Sequence, residues 1–295
     1  MKGFKAFNAN MTCREYQYKI GKTYVHEGPV VLCESGFHFC TNAQDVLKYY
    51  LDKTMRFCEI EASGIVSDSE DDCSKRSCSE ITILREISFD EFIPLITDSQ
   101  RAYKWARYIG NHTEMMPRIT ESEYAYVWAR NIGNHAEMMP LITESEYAYR
   151  WARNIGNHAE MIPLITDSQW AYSWAINIGN HAEMMPLITD SQWAYKWARY
   201  IGNHDEMIPL ITDSQWAYYW ARNIGNHAEM MPLITDSQWA YYWAKDIGNH
   251  DNMIPLITES IWAYYWAKDI GNHAEMMPLI TDQYWLSRFN KLDNR

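Results

Sequence analysis

The sequence predicts a small α+β N-terminal domain followed by an all-α solenoid of 23-residue two-helix repeats. Three observations predict this fold class. A 23-residue motif recurs eight times without a gap, its copies carry helix-start signals with apolar residues at helical spacing, and the first 87 residues lack the motif. We therefore place the domains at 1–87 and 88–290, with a short tail at 291–295.

Residues 1–87 predict a sheet with one helix. Segments rich in β-branched and aromatic residues alternate with turn residues, which is typical of strands. The sequence TNAQ at 41–44 is a capping box ahead of a helix, and the polar segment 67–79 predicts a loop. The expected strands are Phe4–Phe7, Val30–Cys33, Arg56–Ala62 and Ile81–Ile87, and the expected helix is Asp45–Leu51.

The repeat period becomes clear when the chain is cut after each proline of the array. Residues 95–117 read LITDSQRAYKWARYIGNHTEMMP, and residues 210–232 read LITDSQWAYYWARNIGNHAEMMP. A half unit at 88–94 precedes the eight complete units at 95–278, and a partial unit at 279–290 follows them. The array thus starts on one helix type and ends on the other.

Each unit predicts a longer helix and a shorter one. The first begins with the capping box TDSQ at 212–215, in which the threonine accepts an amide hydrogen bond. Trp216 and Trp220 then fall on one apolar stripe, Gly225 ends the helix, and Asn226 caps the next. Two such short helices cannot bury their own aromatic surface, so the units are expected to stack on one another.

Two positions of the longer helix vary between units, whereas most others are nearly constant. We interpret both as surface positions that face solvent or a partner. Three exposed tyrosines in register would form a strip for protein contact. The candidate binding residues are Tyr219, Tyr242, Tyr265, Lys104, Arg150 and Lys196 at the first position, and Tyr108, Tyr200, Asp246 and Asp269 at the second.

A histidine recurs once in every unit, at the start of the shorter helix. Stacked helices lie about 8–10 Å apart, whereas nitrogens that share one zinc ion each lie about 2.0–2.1 Å from it. We therefore predict no metal site. Each histidine is expected to bond the neighbouring repeat, and a pH-sensitive stack stays open as an alternative. The eight are His112, His135, His158, His181, His204, His227, His250 and His273.

Composition and charge narrow the classes of function. The formal net charge of −12 disfavours a nucleic-acid partner, because binding the phosphate backbone needs a basic face. No stretch has the length and apolarity of a membrane span, and the N-terminus lacks the apolar region of a signal peptide. We expect a cytoplasmic protein with reduced, mostly buried cysteines and no cofactor.

The N-terminal motifs carry a family resemblance. KGF at 2–4, LCESGFHFC at 32–40 and DVLKYY at 45–50 resemble an uncharacterised domain family common in tailed-phage and prophage proteins, often ahead of repeats. The resemblance implies a phage-related origin and no defined activity. The repeats resemble short helical repeats of the HEAT-like kind.

The same region is similar to ADP-ribosyltransferase-like folds, through GFHFC, AQDVLKYY and RFCEIEASG. That similarity implies an NAD site with His38, Tyr49 and Glu61 as its candidate catalytic residues. His38 and Glu34 would also suit an acid–base pair. The alternative interpretation is that His38, between two phenylalanines, is a structural histidine in a strand.

We interpret the chain as a non-catalytic protein-binding module that uses an elongated repeat surface to bind a host protein, with inhibition of that protein as an open outcome. A phage protein partner and a homo-oligomer stay open. One alternative is an ADP-ribosyltransferase-like enzyme that the repeats direct to its target. Another is an acidic nucleic-acid mimic or nucleotide-sequestering protein.

Overall fold

The computed structural model describes residues 1–14, 16–67 and 74–292. The chain divides into two compact units, Met1–Ile155 and Gly156–Arg295. The first contains a sheet and the first repeats, and the second contains the remaining repeats. The predicted fold class, an α+β region followed by 23-residue helical repeats, is confirmed. The boundary near residue 88 stays a prediction, because the sheet and the first repeats belong to one unit.

The strands of the first unit are all antiparallel. The longest, β6 and β7, pair along most of their length, and β1 and β5 complete a circuit that runs β6–β1–β5–β7 and returns to β6. β4 pairs with the middle of β7, and β2 pairs with β3. The strands are β1 (Lys2–Phe7), β2 (Thr12–Cys13), β3 (Tyr16–Gln17), β4 (Thr23–Val25), β5 (Phe37–Cys40), β6 (Arg56–Ser67) and β7 (Lys75–Ile87).

Several predicted elements of this region were wrong. Val30–Cys33 is not a strand and contributes only an isolated bridge between Val31 and Ser35. Phe37–Cys40 is a strand that only the interpretation of His38 as a strand histidine had predicted. The expected helix at Asp45–Leu51 is a 3-10 helix at Ala43–Lys48. The predicted loop at 67–79 is strand from Lys75 onward, and its residues 68–73 lie outside the described part of the chain.

The sheet packs directly against the first helices of the array. Phe57 of β6 stacks on Phe92 at 4.1 Å between ring centroids, and Phe92 stacks on Trp105 at 5.5 Å. Arg101 occupies the position where units four to eight have tryptophan, and its guanidinium pairs with Asp45 at 2.8 Å. The arginine thus joins the first unit of the array to the 3-10 helix that contains Asp45.

The helices recur in the same order in every repeat. A ten-residue α-helix is followed by a four-residue α-helix and a three-residue 3-10 turn, which confirms the predicted order of a longer and a shorter helix. In the first compact unit the helices are Phe89–Phe92, Ile93–Leu95, Ser99–Tyr108, His112–Met115, Met116–Arg118, Ser122–Asn131, His135–Met138, Met139–Leu141 and Ser145–Asn154.

The second compact unit continues the same order and ends on a seven-residue helix. Its long helices are Ser168–Asn177, Ser191–Tyr200, Ser214–Asn223, Ser237–Asp246, Ser260–Asp269 and Gln283–Phe289. Its short helices and 3-10 turns are His158–Met161, Ile162–Leu164, His181–Met184, Met185–Leu187, His204–Met207, Ile208–Leu210, His227–Met230, Met231–Leu233, His250–Met253, Ile254–Leu256, His273–Met276 and Met277–Leu279.

The helix caps differ by one residue from the prediction. Asp213, and not Thr212, is the N-cap of its helix, and its carboxylate accepts the amide of Trp216 at 3.1 Å. Asn226 begins the short helix in the left-handed conformation and makes no side-chain cap. Instead its amide group donates to Glu229 at 2.9 Å. The left-handed turn therefore depends on the tolerance of asparagine for positive φ.

A buried serine explains why Thr212 does not cap. The hydroxyl of Ser191 donates to the carbonyl of Leu210 at 3.0 Å and accepts the amide of Thr212 at 2.9 Å. The serine at the start of one long helix thereby binds the loop that precedes the next long helix. The same pair of bonds links Ser214 to Leu233 and Thr235. We call this pair of bonds the serine link.

One tryptophan in each complete repeat is fully buried. Trp220 and its seven equivalents are 0% exposed, which confirms that they form the core. The imidazole of His227 lies edge-on to Trp243 of the following repeat, with 6.0 Å between ring centroids. Its Nε2 donates to the carbonyl of Ala221 within its own repeat at 2.9 Å. The predicted hydrogen bond to the neighbouring repeat was therefore wrong, and the contact with that repeat is aromatic.

Candidate functional site

The three tyrosines of the first variable position are half-buried and not fully exposed as predicted. Tyr219 lies against Trp239 of the next repeat at 5.6 Å between ring centroids. Tyr242 lies against Trp262 in the same way at 5.7 Å. Each tyrosine is thus held by a neighbouring ring, while part of its surface stays open to solvent.

These contacts extend into a continuous series of rings in the second compact unit. Tyr195 contacts Trp216 at 5.5 Å, Tyr218 contacts Trp239 at 5.4 Å, and Tyr241 contacts Trp262 at 5.6 Å. Trp285 closes the series against Tyr264 and Tyr265. We call this set the aromatic strip; its partly exposed members are Trp216, Tyr219, Trp239, Tyr242, Trp262, Tyr265 and Trp285.

The second variable position joins neighbouring repeats in five of the described units. Asn223 donates to the hydroxyl of Tyr195 at 3.0 Å, and Asp269 accepts from the hydroxyl of Tyr241 at 2.5 Å. Asparagine donates and aspartate accepts at the same place, so the exchange of these two residue types preserves a bond between neighbouring repeats. The other three bonds of this kind involve Asn131, Asn154 and Asp246.

Where the second variable position carries aspartate, a positively charged side chain can lie beside it. The carboxylate of Asp269 also accepts from Lys245 at 2.7 Å. Hydrogen bonding to Lys245 lowers the pKa of Asp269, and the same bond raises the pKa of Lys245. Burial, followed by the bond to Asp269, raises the pKa of Tyr241 to about 12. Asp269 therefore stays ionised, and Tyr241 stays a donor.

The remaining candidates at the variable positions are dispersed. Tyr108 and Tyr200 are 51% and 60% exposed and lie at the ends of their helices. Lys196 places its ammonium 3.8 Å from the ring centroid of Trp193. Arg150 is exposed and pairs with Glu146 on its own helix, and Lys104 is partly exposed. None of these side chains joins the aromatic strip among the residues described.

A shallow groove crosses the strip between two repeats. It has a volume of about 440 Å³ and is bordered by Tyr219, Trp239 and Tyr242 on its aromatic side. Arg222 and Asp246 lie 3.4 Å apart at its polar side. Burial, followed by a hydrogen bond to Asp246, raises the pKa of Tyr218 below the groove. The groove thus combines ring surface with both signs of charge.

A cavity in the sheet region has a volume of about 750 Å³. His38 and Tyr49 both line it, together with Glu34. Glu61 does not: it is exposed on β6, opposite Lys2 of β1. The structure thus brings together two of the three candidate catalytic residues and places the third on the outside of the sheet.

His38 is a strand histidine, as the structural interpretation predicted. Its Nε2 accepts the backbone amide of Cys33 at 2.9 Å, which requires an unprotonated nitrogen. Burial, with the charges of Lys75, Lys5 and Arg14 as further causes, lowers the pKa of His38 to about 4. The imidazole is therefore neutral at physiological pH and is already engaged by the chain.

The cavity also contains residues that the sequence did not single out. Lys5 is 5% exposed and donates to the carbonyl of His38 at 2.6 Å. Arg14 and Lys75 border the same space. Lys75 is far in sequence from Lys5 and Arg14, and the three belong to no motif, so only the folded sheet region brings them to one space.

Other classes of site find no support in the part of the chain that the structure describes. No group of three or more histidine, cysteine or acidic residues there is arranged to hold a metal ion. No described helix has the length and apolar character needed to cross a membrane. Four of the described cysteines are buried thiols and Cys33 is exposed, while Cys73 lies outside the described residues.

Comparison with known proteins gives a partial match. Residues 1–95 match the model of a family described as a domain of unknown function, DUF7666. No curated protein and no solved structure matches the chain. The match covers the sheet region and stops where the repeats begin.

Proposed function

We propose that the chain is a non-catalytic binding protein that uses the aromatic strip of Gly156–Arg295 to hold a protein partner. The observation that supports this most strongly is the unbroken series of ring contacts from Tyr195 to Trp285, whose outer members stay partly exposed. Tryptophan and tyrosine are the residue types that most often dominate the energy of protein interfaces.

The strip is suited to binding because its rings are already held in place. A side chain that is mobile before binding loses about 0.5–1.5 kcal/mol of conformational freedom when a partner fixes it. Tyr219 and Tyr242 each contact a tryptophan of the following repeat, so part of this loss occurs on folding. The remaining exposed ring surface is available to a partner at a smaller entropic penalty.

The charge of this region favours a partner with a basic contact surface. Residues 156–295 contain 8 lysines and arginines and 16 acidic residues, a formal net charge of −8. Opposite charge accelerates encounter and selects among partners more than it adds affinity. We therefore propose a partner that presents apolar anchors surrounded by lysine or arginine.

The origin of the partner follows from the resemblance of the N-terminal motifs to phage and prophage proteins. A phage-encoded binding protein in a bacterial cell meets host proteins, so we propose a host protein as the target and interference with its action as the outcome. This part of the proposal depends on the resemblance, whereas the binding surface depends on the residues of the strip.

The array offers its own residues for a test. Position 173 is the equivalent of Tyr219 and carries serine, so a triple variant Tyr219→Ser, Tyr242→Ser and Tyr265→Ser uses a side chain that this position accepts. Immobilised wild-type chain and variant are compared for proteins retained from a bacterial lysate. We expect a specific partner on the wild type and at least about a tenfold loss on the triple variant.

A matched control removes exposed tyrosines outside the strip. Tyr108→Asn and Tyr200→Asn introduce the residue that this second position has in other units, and the partner should be retained. Thermal melting of both variants checks that the fold persists. A partner that both variants lose equally, or that neither loses, would contradict binding through the strip.

The same assay distinguishes two modes of binding, through the carboxylates of a nucleic-acid mimic or through the rings of the aromatic strip. A mimic binds through its carboxylates, so Asp246→Asn and Asp269→Asn would then release the partner, although asparagine keeps the bond to the preceding tyrosine at this position. Binding through the rings instead predicts that these two variants retain the partner and lower mainly its association rate.

A further inference from the structure

The cavity of the sheet region concentrates positive charge in an acidic chain. Among the described residues, four cationic side chains line it, Lys5, Arg14, Lys48 and Lys75, with one carboxylate, Glu34. Because the whole chain has a formal net charge of −12, this grouping runs against the average composition. A cavity lined by several cations favours an anionic occupant.

Lys5 is the cation that most needs a counterion. It is 5% exposed, and its ammonium donates to one carbonyl, that of His38, at 2.6 Å. Burial lowers its pKa, an effect that the nearby Cys13 thiol partly offsets. A buried charge is costly unless it is paired, and no ion pair of Lys5 exists among the described residues. An anion in the cavity would supply that pair.

Arg14 and Lys75 stand at the same cavity without an acidic partner among the described residues. The ammonium of Lys75 lies 4.6 Å from the ring centroid of Tyr49 and 3.3 Å from the sulfur of Cys33. Lys48, in contrast, pairs with Asp45 at 3.1 Å, so its charge is already compensated. Three cations are thus directed to one space, which suits an anion with more than one negative charge.

The cavity also has an aromatic side, which favours a planar group in the same ligand. Tyr16 and Tyr49 are each 44% exposed, and Tyr16 lies edge-on to Phe37 at 5.3 Å between ring centroids. Exposed ring faces beside cations bind planar groups by stacking. The volume of about 750 Å³ falls in the usual range of small-molecule sites, about 300–1,000 Å³.

We propose that this cavity is a binding site for a small phosphate ester that carries a planar ring, of the nucleotide class. The phosphate contacts Lys5, Arg14 and Lys75, and the ring lies against Tyr16 and Tyr49. The assignment is one of binding without chemical conversion, and it is independent of the aromatic strip that holds the protein partner.

Isothermal titration of the full chain tests the site. The probes are the four ribonucleoside 5′-monophosphates, their nucleosides and inorganic phosphate. We expect at least one nucleotide to bind with Kd below about 1 mM, at least about tenfold more tightly than its nucleoside or inorganic phosphate. No binding of any nucleotide up to about 5 mM, or phosphate binding as tightly as the nucleotides, would overturn the proposal.

Matched variants locate the binding. Lys75→Gln and Arg14→Gln should each weaken the bound nucleotide by at least about fivefold, and Tyr16→Leu should weaken it without changing phosphate binding. Lys22→Gln makes the same charge change at an exposed lysine outside the cavity and should leave affinity unchanged. An equal loss in Lys22→Gln and Lys75→Gln would show non-specific attraction and overturn the site.

The variants at Arg14, Tyr16 and Lys75 change exposed or partly exposed residues and spare the buried Lys5, so they are expected to fold. Thermal melting without ligand verifies this before the titrations are compared. The triple tyrosine variant of the strip should bind the nucleotide like wild type, so that failure of the cavity proposal and failure of the strip proposal give different results.

Discussion

The sheet region and the repeats bury their apolar side chains through different kinds of contact. In the sheet, β6 and β7 pair residues such as Phe57 and Ile87 that are far apart in sequence, and each contact occurs once. In the repeats, Trp220 contacts the same kind of neighbours as Trp243 one unit later. Local, repeated contacts make stability a sum over neighbouring units, whereas a sheet gains stability only when distant strands meet.

This difference also separates the two candidate surfaces. The aromatic strip is built by repetition, so the same contact recurs at Tyr219 and Tyr242. The cavity is built by convergence, since Lys5 and Lys75 come from opposite ends of the sheet region. The aromatic strip therefore repeats one kind of contact along the array, whereas the cavity encloses a single small space.

The largest effect is expected from Trp220→Ala. Removal of a fully buried indole should lower the free energy of unfolding by about 3–5 kcal/mol, measured by urea denaturation. Because contacts are local, hydrogen exchange should accelerate chiefly in the repeats on either side. Trp216→Ala, at a half-buried ring, should cost clearly less. An equal loss of protection from hydrogen exchange throughout Gly156–Arg295 would contradict the claim that contacts in the repeats are local.

A smaller effect is expected when the serine link is cut. Ser214→Ala removes both hydrogen bonds to the following repeat and leaves the amide of Thr235 without its partner. An unsatisfied buried group costs about 1–3 kcal/mol, seen as a lower urea midpoint. Ser173→Ala changes a partly exposed serine of the array and should be near neutral. Comparable losses in the two variants would argue against the link.

The smallest effect concerns the acid stability of the sheet region. Burial lowers the pKa of His38 to about 4, so between about pH 6.5 and pH 4 the unfolded chain binds a proton that the folded chain excludes. Stability from this group is complete above pH 6.5 and falls as the pH drops. His38→Gln should remove about 1 kcal/mol of that fall after solvent screening. Identical pH slopes for variant and wild type in chemical denaturation would refute it.

The repeat architecture was predictable because each unit contains the sequence signals for its own two helices. A 23-residue period with tryptophan at fixed spacing predicted both helices and the buried core, and Trp220 is buried as expected. The cap was wrong by one residue because Thr212 and Asp213 are both capable of capping. The choice is made by Ser191 of the preceding repeat, which lies 21 residues away.

The sheet was harder to predict because its strands are defined by distant partners. Phe37–Cys40 pairs with Lys75–Cys78, and the polar composition of the second segment favours a loop when it is considered alone. The cationic lining of the cavity was missed for the same reason, although His38, Tyr49 and Glu34 had been singled out. Lys5 was not predicted as a site residue. A buried lysine is unusual, and Lys5 becomes buried only when β1 is enclosed by its neighbouring strands.

The spacing of the serine link has an evolutionary consequence. Ser191 binds Leu210 and Thr212, and the next unit offers Leu233 and Thr235 in the same arrangement. Excision of residues 210–232 would therefore present Ser191 with chemically identical partners. Recombination between copies of the motif can lengthen or shorten the array by whole units while every junction keeps its bonds, so the extent of the proposed binding face becomes a trait that selection can adjust stepwise.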